Sequence, residues 1–254
     1  MGTVTLRFYA ELNELAGRDR GGSRALDVER TFTVGQTVKD LIEAAGVPHT
    51  EVDLILVDGI SVGLDHRIGE GERISVFPVF ESLDVSTVTR VRSVPLRQTR
   101  FAADVHLGRL ARYLRLLGFD TAYRKDWDDA ALVETALREK RIVLTRDRGL
   151  LKRAVLDHGY LVRETHPRAQ LREVIARFDL SHTLRPFTRC PRCNGRVSSV
   201  PKSEIILLLP TRTASAVDEF RRCQECGQLY WQGAHQRGLD DLVALARSAR
   251  EPGL

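Results

Sequence analysis

The fold is decided by residues 100–151, which read RFAADVHLGRLARYLRLLGFDTAYRKDWDDAALVETALREKRIVLTRDRGLL. Apolar residues recur at helical spacing from Leu107 to Leu117, and Gly118 is placed to end that helix. The apolar, β-branched run at 141–145 is typical of a strand buried on both faces. Strands and helices therefore alternate, which predicts a parallel sheet flanked by helices. We expect strands at 100–104, 119–123, 141–145 and 160–163, and helices at 107–117, from 128 or 129 to 140, at 149–157 and at 167–178.

Carboxylates follow three of these strands, at the edge where parallel α/β sheets place their sites. Asp104 ends the first strand, Asp147 directly follows the third, and Asp128 and Asp129 begin the helix after the second. Such carboxylates repel one another, and a hard divalent cation such as magnesium or manganese relieves the repulsion. That cation can also activate water against a phosphodiester. The alternatives are helix capping by Asp128 or Asp129 and a turn role for Asp147.

Arginines surround these carboxylates. Arg109 and Arg112 recur at three-residue spacing opposite the leucine stripe, as does Arg115, and Arg146 and Arg148 flank Asp147. Guanidinium groups suit phosphates because they donate two parallel hydrogen bonds. We therefore expect substrate contacts from Arg109, Arg112, Arg146 and Arg148, and the alternative is a solvated polar face.

Three stretches resemble the Mut-seven C-terminal RNase family: Phe101-Ala102-Ala103-Asp104, the run from Gly108 to Thr121, and the run from Leu144 to Leu151. The resemblance extends from about Arg100 to about Gly238. It implies a PIN-like α/β domain followed by a zinc ribbon, with endoribonuclease activity that depends on magnesium or manganese. It also implies metal binding by Asp104, Asp129 and Asp147, with Asp128 competing for the middle position.

One departure from the PIN pattern favours a second interpretation. Many PIN nucleases carry a fourth acid just after the third, whereas here residues 148–153 read RGLLKR and the next acid is Asp157. The alternative function is a non-catalytic RNA-binding factor that docks on structured RNA such as the ribosome or tRNA.

Four cysteines form two CxxC pairs, Cys190-Pro-Arg-Cys193 and Cys223-Gln-Glu-Cys226. Each pair can supply two thiolates to one tetrahedral ion, so the spacing predicts a structural zinc site, with rubredoxin-like iron as the alternative. The gap between the pairs contains Ile205 to Leu209, a strand-like run. After the second pair, Tyr230 and Trp231 are expected either to stack on unpaired bases or to pack against the ribbon.

The N-terminal segment predicts a ubiquitin-like β-grasp. Strands are expected at 3–9, 30–34, 52–57 and 73–80, with a helix over 38–45 that Thr37 could cap. Arg7 to Leu12, Asp58-Gly59 and Gly71 to Val79 resemble the sulfur carriers of molybdopterin and thiamine synthesis. Those carriers end in a free Gly-Gly, whereas this chain continues through Phe80-Glu81-Ser82. We therefore expect an adaptor that binds an unknown protein partner and carries no sulfur.

The charge balance of the chain changes at the end of this N-terminal segment. Residues 1–82 hold 8 Lys and Arg against 14 Asp and Glu, a net of −6, and residues 83–254 hold 31 against 20, a net of +11. The basic part fits a polyanion such as RNA. With no signal core and no apolar run of about 18 residues, we expect a cytoplasmic protein without a membrane partner. The expected segments are a β-grasp at 1–81, a linker at 82–99, the PIN-like domain at 100–185, the zinc ribbon at 186–240 and a C-terminal helix or tail at 241–254.

Overall fold

The computed structural model describes residues 1–16, 27–78, 88–91, 99–231 and 236–249. The chain forms two compact units, one made of Met1–Gln98 with Leu137–Leu161 and the other of Thr99–Ala136 with Val162–Gly253. Residues 79–80 of a predicted strand, most of the predicted linker and residues 250–254 of the predicted tail lie outside the described ranges.

The first unit begins with a mixed five-stranded sheet in the order β2-β1-β5-β3-β4. Strands β1 and β5 run parallel, and the other neighbouring pairs are antiparallel. Between the strands lie two helices and a 3-10 turn at His49–Glu51. The bounds are β1 Gly2–Phe8, α1 Leu12–Leu15, β2 Asp27–Phe32, α2 Val38–Ala44, β3 Val52–Val57, β4 Ile60–Ser61 and β5 Arg73–Pro78. This is the predicted β-grasp.

Local chemistry explains these boundaries. Thr37 caps α2 in a capping box, because its side chain accepts from the Asp40 amide while the Asp40 carboxylate accepts from the Thr37 amide. Asp58 and Gly59 both have positive φ, 49° and 84°, and join β3 to β4 in the tight turn that Asp-Gly favours. The alternation in β1 points Leu6 and Phe8 into the core, where both are fully buried.

Two parallel strands complete the first unit, β8 Ile142–Thr145 and β9 Gly159–Leu161, and the helix α5 Arg148–Leu151 connects them. The predicted helix at 149–157 is wrong in length, because α5 stops after one turn. Val155 is 57% exposed and Leu156 returns to the core, so no continuous apolar face supports a longer helix.

The second unit contains the parallel pair β6 Phe101–Ala103 and β7 Thr121–Ala122. Its helices include α3 Gly108–Leu116 and α6 Pro167–Arg177, which pack together, and α9 Gln236–Arg247, which packs on α6. Helix α4 Asp129–Glu139 begins in this unit and ends in the first. Parallel strands with flanking helices confirm the predicted α/β class of this region.

Helix α3 ends as the sequence predicts. Gly118 has a φ of 98°, and a Cβ there would lie 2.2 Å from the carbonyl oxygen of Arg185, so no other residue fits without a backbone shift. The leucines at 110 and 114 within α3, and at 107 and 117 at its two ends, are buried, and each contributes roughly 1.5–3 kcal/mol by leaving water.

A three-stranded antiparallel sheet follows in the second unit, with β10 Val197–Val200, β11 Phe220–Cys223 and β12 Leu229–Trp231 in that order. The strand expected at 205–209 is wrong. Helix α7 Lys202–Ile205, a 3-10 turn at Ile206–Leu208 and helix α8 Thr211–Ala216 occupy that region. Pro201 and Pro210 bracket the run, and Leu207 is 97% exposed, so it lies on no sheet face.

Among the described residues, no helix has both the length and the apolar character needed to cross a membrane.

Candidate functional site

The four cysteines converge at one end of the three-stranded sheet. Their sulfur atoms all lie within 4.8 Å of one another, with 3.7 Å between Cys190 and Cys226 and 3.4 Å between Cys193 and Cys223. Four sulfurs held about 2.3 Å from one tetrahedral zinc ion would lie about 3.8 Å apart. The cluster is therefore compatible with zinc, as the CxxC spacing predicts.

The ionisation of these thiols also fits a cation. Burial opposes ionisation of Cys190, but hydrogen bonds from the Tyr230 hydroxyl and neighbouring amides outweigh it and lower its pKa to about 7. Burial and the nearby thiols raise the pKa of Cys193 to about 12. Thiolates packed this closely repel one another, and a bound cation would compensate their charge.

Tyr230 takes part in this cluster, because its hydroxyl lies 2.9 Å from the Cys190 sulfur. Burial and the Cys190 hydrogen bond raise the pKa of Tyr230. Trp231 is 39% exposed, and its ring centroid lies 6.2 Å from that of Phe220. The contact with Cys190 thus explains the position of Tyr230 in the cluster, whereas Trp231 remains partly exposed.

Arg115 connects the first cysteine pair to the α/β part of the second unit through hydrogen bonds. It lies on α3 and is only 4% exposed. Its guanidinium donates to four backbone carbonyls, those of Thr121 at 2.8 Å, Tyr123 at 3.4 Å, Pro191 at 3.3 Å and Arg192 at 3.1 Å. Burial lowers its pKa, while the nearby Cys193 and Cys190 thiols oppose that shift. The expectation that Arg115 shares a polar face with Arg109 and Arg112 is wrong.

Asn194 and Asp120 complete this attachment, and neither was predicted from the sequence. The Asn194 side chain accepts from the Thr121 amide at 3.0 Å and donates to Asp120 at 2.7 Å. Arg189 donates to the other Asp120 oxygen at 3.1 Å. Asn194 has a φ of 72°, and an asparagine directly after a CxxC pair is the signal that could have indicated this left-handed turn.

The carboxylates of the second unit differ in their surroundings. Asp104 directly follows β6 and is 9% exposed. Asp128 caps α4, since its side chain accepts from the Ala131 amide at 2.8 Å. Asp129 is the first residue of α4 and is exposed. Asp126, on the same loop, pairs with Arg124.

Asp147 belongs to the first unit and caps α5. Its side chain accepts from the Gly149 amide at 2.7 Å, and its own amide donates to the Thr145 hydroxyl at 3.0 Å. Asp104, Asp128 and Asp129 lie in the second unit. A joint metal site with Asp147 therefore stays a prediction.

The predicted substrate arginines fall into two groups. Arg109 and Arg112 are exposed on α3, and Arg146 is exposed beside Asp147. Arg148 is exposed as well, but it donates to the carbonyl of Leu15 in the β-grasp at 3.3 Å.

Comparisons with known proteins agree with this architecture. Residues 99–243 match the Mut7-C RNAse domain, and residues 1–84 match the Mut7-C ubiquitin domain. No curated protein matches the chain.

Two solved structures share similarity with the N-terminal region. A putative molybdopterin converting factor subunit 1 from Pyrococcus furiosus is 24% identical over 31% of this chain and 98% of its own, with a TM-score of 0.24. SAMP1 from Haloferax volcanii is 21% identical over 32% of this chain and 100% of its own, with a TM-score of 0.25. The Mut7-C RNAse domain match spans more than half of the 254 residues, so the chain belongs to the Mut7-C RNAse domain family, with a Mut7-C ubiquitin domain before it.

Proposed function

We propose that this protein is a metal-dependent endoribonuclease. The family match to an RNAse domain over residues 99–243 is the observation that carries the proposal. Asp104, Asp129 and Asp147 would hold a magnesium or manganese ion, with Asp128 as the alternative to Asp129. When bound, this ion supplies a Lewis acid that can activate water and neutralise charge on the phosphodiester.

The chain's own groups supply the rest of the chemistry. Carboxylate oxygens are the ligands that hard divalent cations prefer, and Asp104 comes from a strand end while Asp129 comes from a helix start. Arg109 and Arg112 are exposed and would bind phosphates, as would Arg146 beside Asp147. Asp128 caps α4 through its hydrogen bond with the Ala131 amide, and it is the alternative to Asp129 as the middle ligand.

We propose that the ion in the four-cysteine cluster is zinc and that its role is structural. Four thiolates fill a tetrahedral shell and leave no open position for a substrate. Arg115 and Asn194 connect the cluster to β7, so the ion would also stabilise the region that leads to Asp128 and Asp129.

A second candidate function is a non-catalytic RNA-binding factor for structured RNA such as rRNA or tRNA. The absence of an acid between Asp147 and Asp157 in the sequence favours it, as does the net charge of +11 on residues 83–254. It predicts RNA binding without metal-dependent turnover.

Cleavage of total cellular RNA in manganese separates the two functions. Wild type, Asp104→Asn and Asp147→Asn are compared, with Asp65→Asn in the exposed β-grasp surface as the matched control. The nuclease proposal expects cleavage by wild type and the control and a loss of orders of magnitude in the other two. Their RNA affinity should stay the same or rise, because a negative charge is removed. Equal cleavage by all four indicates contamination, and no cleavage of any structured RNA favours the binding factor.

A further inference from the structure

Within the first unit, the β-grasp packs against the segment 148–161 of the RNAse domain. Lys152 donates from its ammonium to the carbonyl of Glu43 at 2.7 Å, and Arg148 donates to the carbonyl of Leu15 at 3.3 Å. These carbonyls lie in the last turns of α2 and α1, and that of Glu43 also accepts from the Gly46 amide at 3.0 Å. Two cations, one at each end of α5, are thus bound by the ends of two β-grasp helices.

The 3-10 turn at His49–Glu51 adds two buried contacts. The Glu51 carboxylate, 1% exposed, accepts from the Leu161 amide on β9 at 2.5 Å. The His49 ring, 4% exposed, lies 2.9 Å from the Leu156 carbonyl on one side and 2.7 Å from the Glu43 carboxylate on the other. Burying a carboxylate and an imidazole is costly unless they are hydrogen-bonded. These side chains therefore fit a β-grasp that stays bound to the segment 148–161.

Gly159 lies between α5 and the 3-10 turn. A Cβ at Gly159 would lie 2.5 Å from the Leu151 side chain and 3.4 Å from the Thr50 hydroxyl. Gly159 begins β9, so the 3-10 turn reaches the strand at a position without a side chain.

We propose that the β-grasp is a positioning module for the RNAse domain, which holds α5 in place and thereby fixes the carboxylate of Asp147. Helix α5 has four residues, and a single turn does not hold its shape without outside contacts. Arg148 and Lys152 are four residues apart, so they lie on one face of the turn, and both donate to the β-grasp. Asp147 is the N-cap of that turn. The positioning role rests on the proposed function, in which Asp147 is a metal ligand.

This assignment changes the expected partner of the acidic β-grasp. Its surface at the ends of α1 and α2 and at the 3-10 turn binds the chain's own segment 148–161. A separate protein would have to use another face. Arg148 acts here as an anchor, and its predicted contact with substrate would compete with Leu15.

Amide hydrogen exchange in the full-length, RNA-free protein tests the proposal at two positions. The Leu161 amide reports on the contact with Glu51, and the Gly149 amide reports on the Asp147 cap. Glu51→Ala should raise exchange at both by about 10-fold, since a buried donor loses its acceptor. Glu51→Gln should restore protection, because its amide oxygen can still accept. Glu29→Ala, an exposed acid on β2, should change neither rate.

A milder variant covers the case in which Glu51→Ala fails to fold. Lys152→Met keeps the aliphatic stem, removes the donor to Glu43 and should raise exchange at Gly149. If Glu51→Ala speeds exchange at the Leu161 amide but leaves the exchange rate of the Gly149 amide unchanged, the proposal is overturned. Glu51 would then only cap the edge of β9. An unchanged exchange rate of the Gly149 amide in Lys152→Met would overturn the proposal as well.

Kinetics give the second readout. Glu51→Ala should lower kcat by about 10- to 100-fold and leave KM nearly unchanged, because it misplaces a catalytic group and touches no RNA-binding arginine. A wild type that cleaves no RNA contradicts the proposed function, and the Gly149 exchange rates then decide the positioning role alone.

Discussion

Asp128 and Asp129 are adjacent, yet the structure gives them different surroundings. Asp128 accepts from the Ala131 amide and caps α4, whereas Asp129 is the first residue of that helix. Asp128→Ala should therefore lower the free energy of unfolding by about 1 kcal/mol, as loss of an N-cap does. Its effect on cleavage should be small. Denaturant titration beside the RNA cleavage assay measures both quantities.

Asp129→Asn should show the opposite pattern. Stability should stay within about 0.5 kcal/mol of wild type, because the residue is exposed. Manganese-dependent cleavage should fall on the order of 100-fold, since one charged metal ligand is lost. If Asp128→Asn, which retains the cap, abolishes cleavage while Asp129→Asn does not, the middle ligand is Asp128.

Arg115 yields a prediction about stability. Arg115→Lys keeps the positive charge but cannot reach four carbonyls, so it should cost about 2–3 kcal/mol of unfolding free energy. Arg112→Lys, on the exposed face of the same helix, is the matched control and should cost less than about 0.5 kcal/mol. Similar losses in both variants would argue against the anchoring role of Arg115.

Helical geometry separates Arg115 from the exposed face that carries Arg109 and Arg112. Each residue of an α-helix advances the side chain by about 100°, so a three-residue step falls about 60° short of a full turn. Arg115 is thus rotated about 120° from Arg109, to the other flank of α3, where its guanidinium meets the carbonyls of Thr121, Pro191 and Arg192. Three-residue spacing identified the exposed pair Arg109 and Arg112 correctly, and its extension to a third arginine was wrong.

At the scale of elements, local signals were reliable where the residue chemistry was specific. Asp58-Gly59 predicted the β3–β4 turn, Thr37 predicted the start of α2, and the CxxC pairs predicted the thiol cluster. Apolar content alone misled twice, for 149–157 and for 205–209. Val155 in the first stretch and Leu207 in the second are exposed. Which apolar side chains stay exposed depends on tertiary packing, so apolar content alone does not predict it.

The prediction for the three-stranded sheet concerns its metal ion. Protein purified without added metal should contain one zinc per chain, because the four sulfurs form one tetrahedral set. Cys223→Ser should unfold the segment around β10, β11 and β12, since zinc supplies on the order of 10 kcal/mol to such sites. Ser199→Ala, on β10, controls for substitution in the same sheet. Limited proteolysis and elemental analysis measure the outcome, and iron or an absence of metal would contradict it.

At the scale of the whole molecule, charge separates the N-terminal third of the sequence from the rest. Residues 1–82 carry a net of −6 and residues 83–254 a net of +11, so RNA should bind through residues 83–254. Each phosphate neutralised on a single strand contributes about −0.7 to the slope of log K against log salt concentration. Contact with about 5 phosphates would therefore give a slope of about −3.5.

Paired substitutions in the full chain locate that binding. Replacing Arg109 and Arg112 by Gln removes two exposed cations of α3, and it should make the slope shallower by about 1.4 if each contacts one phosphate. Arg30→Gln removes an exposed cation from β2 of the acidic β-grasp and should leave the slope unchanged. Fluorescence anisotropy with a labelled single-stranded RNA between about 50 and 200 mM salt measures these slopes. Salt-independent binding would contradict an electrostatic RNA interface. A change only in Arg30→Gln would place the RNA on residues 1–82, which contradicts the nuclease and the binding factor alike.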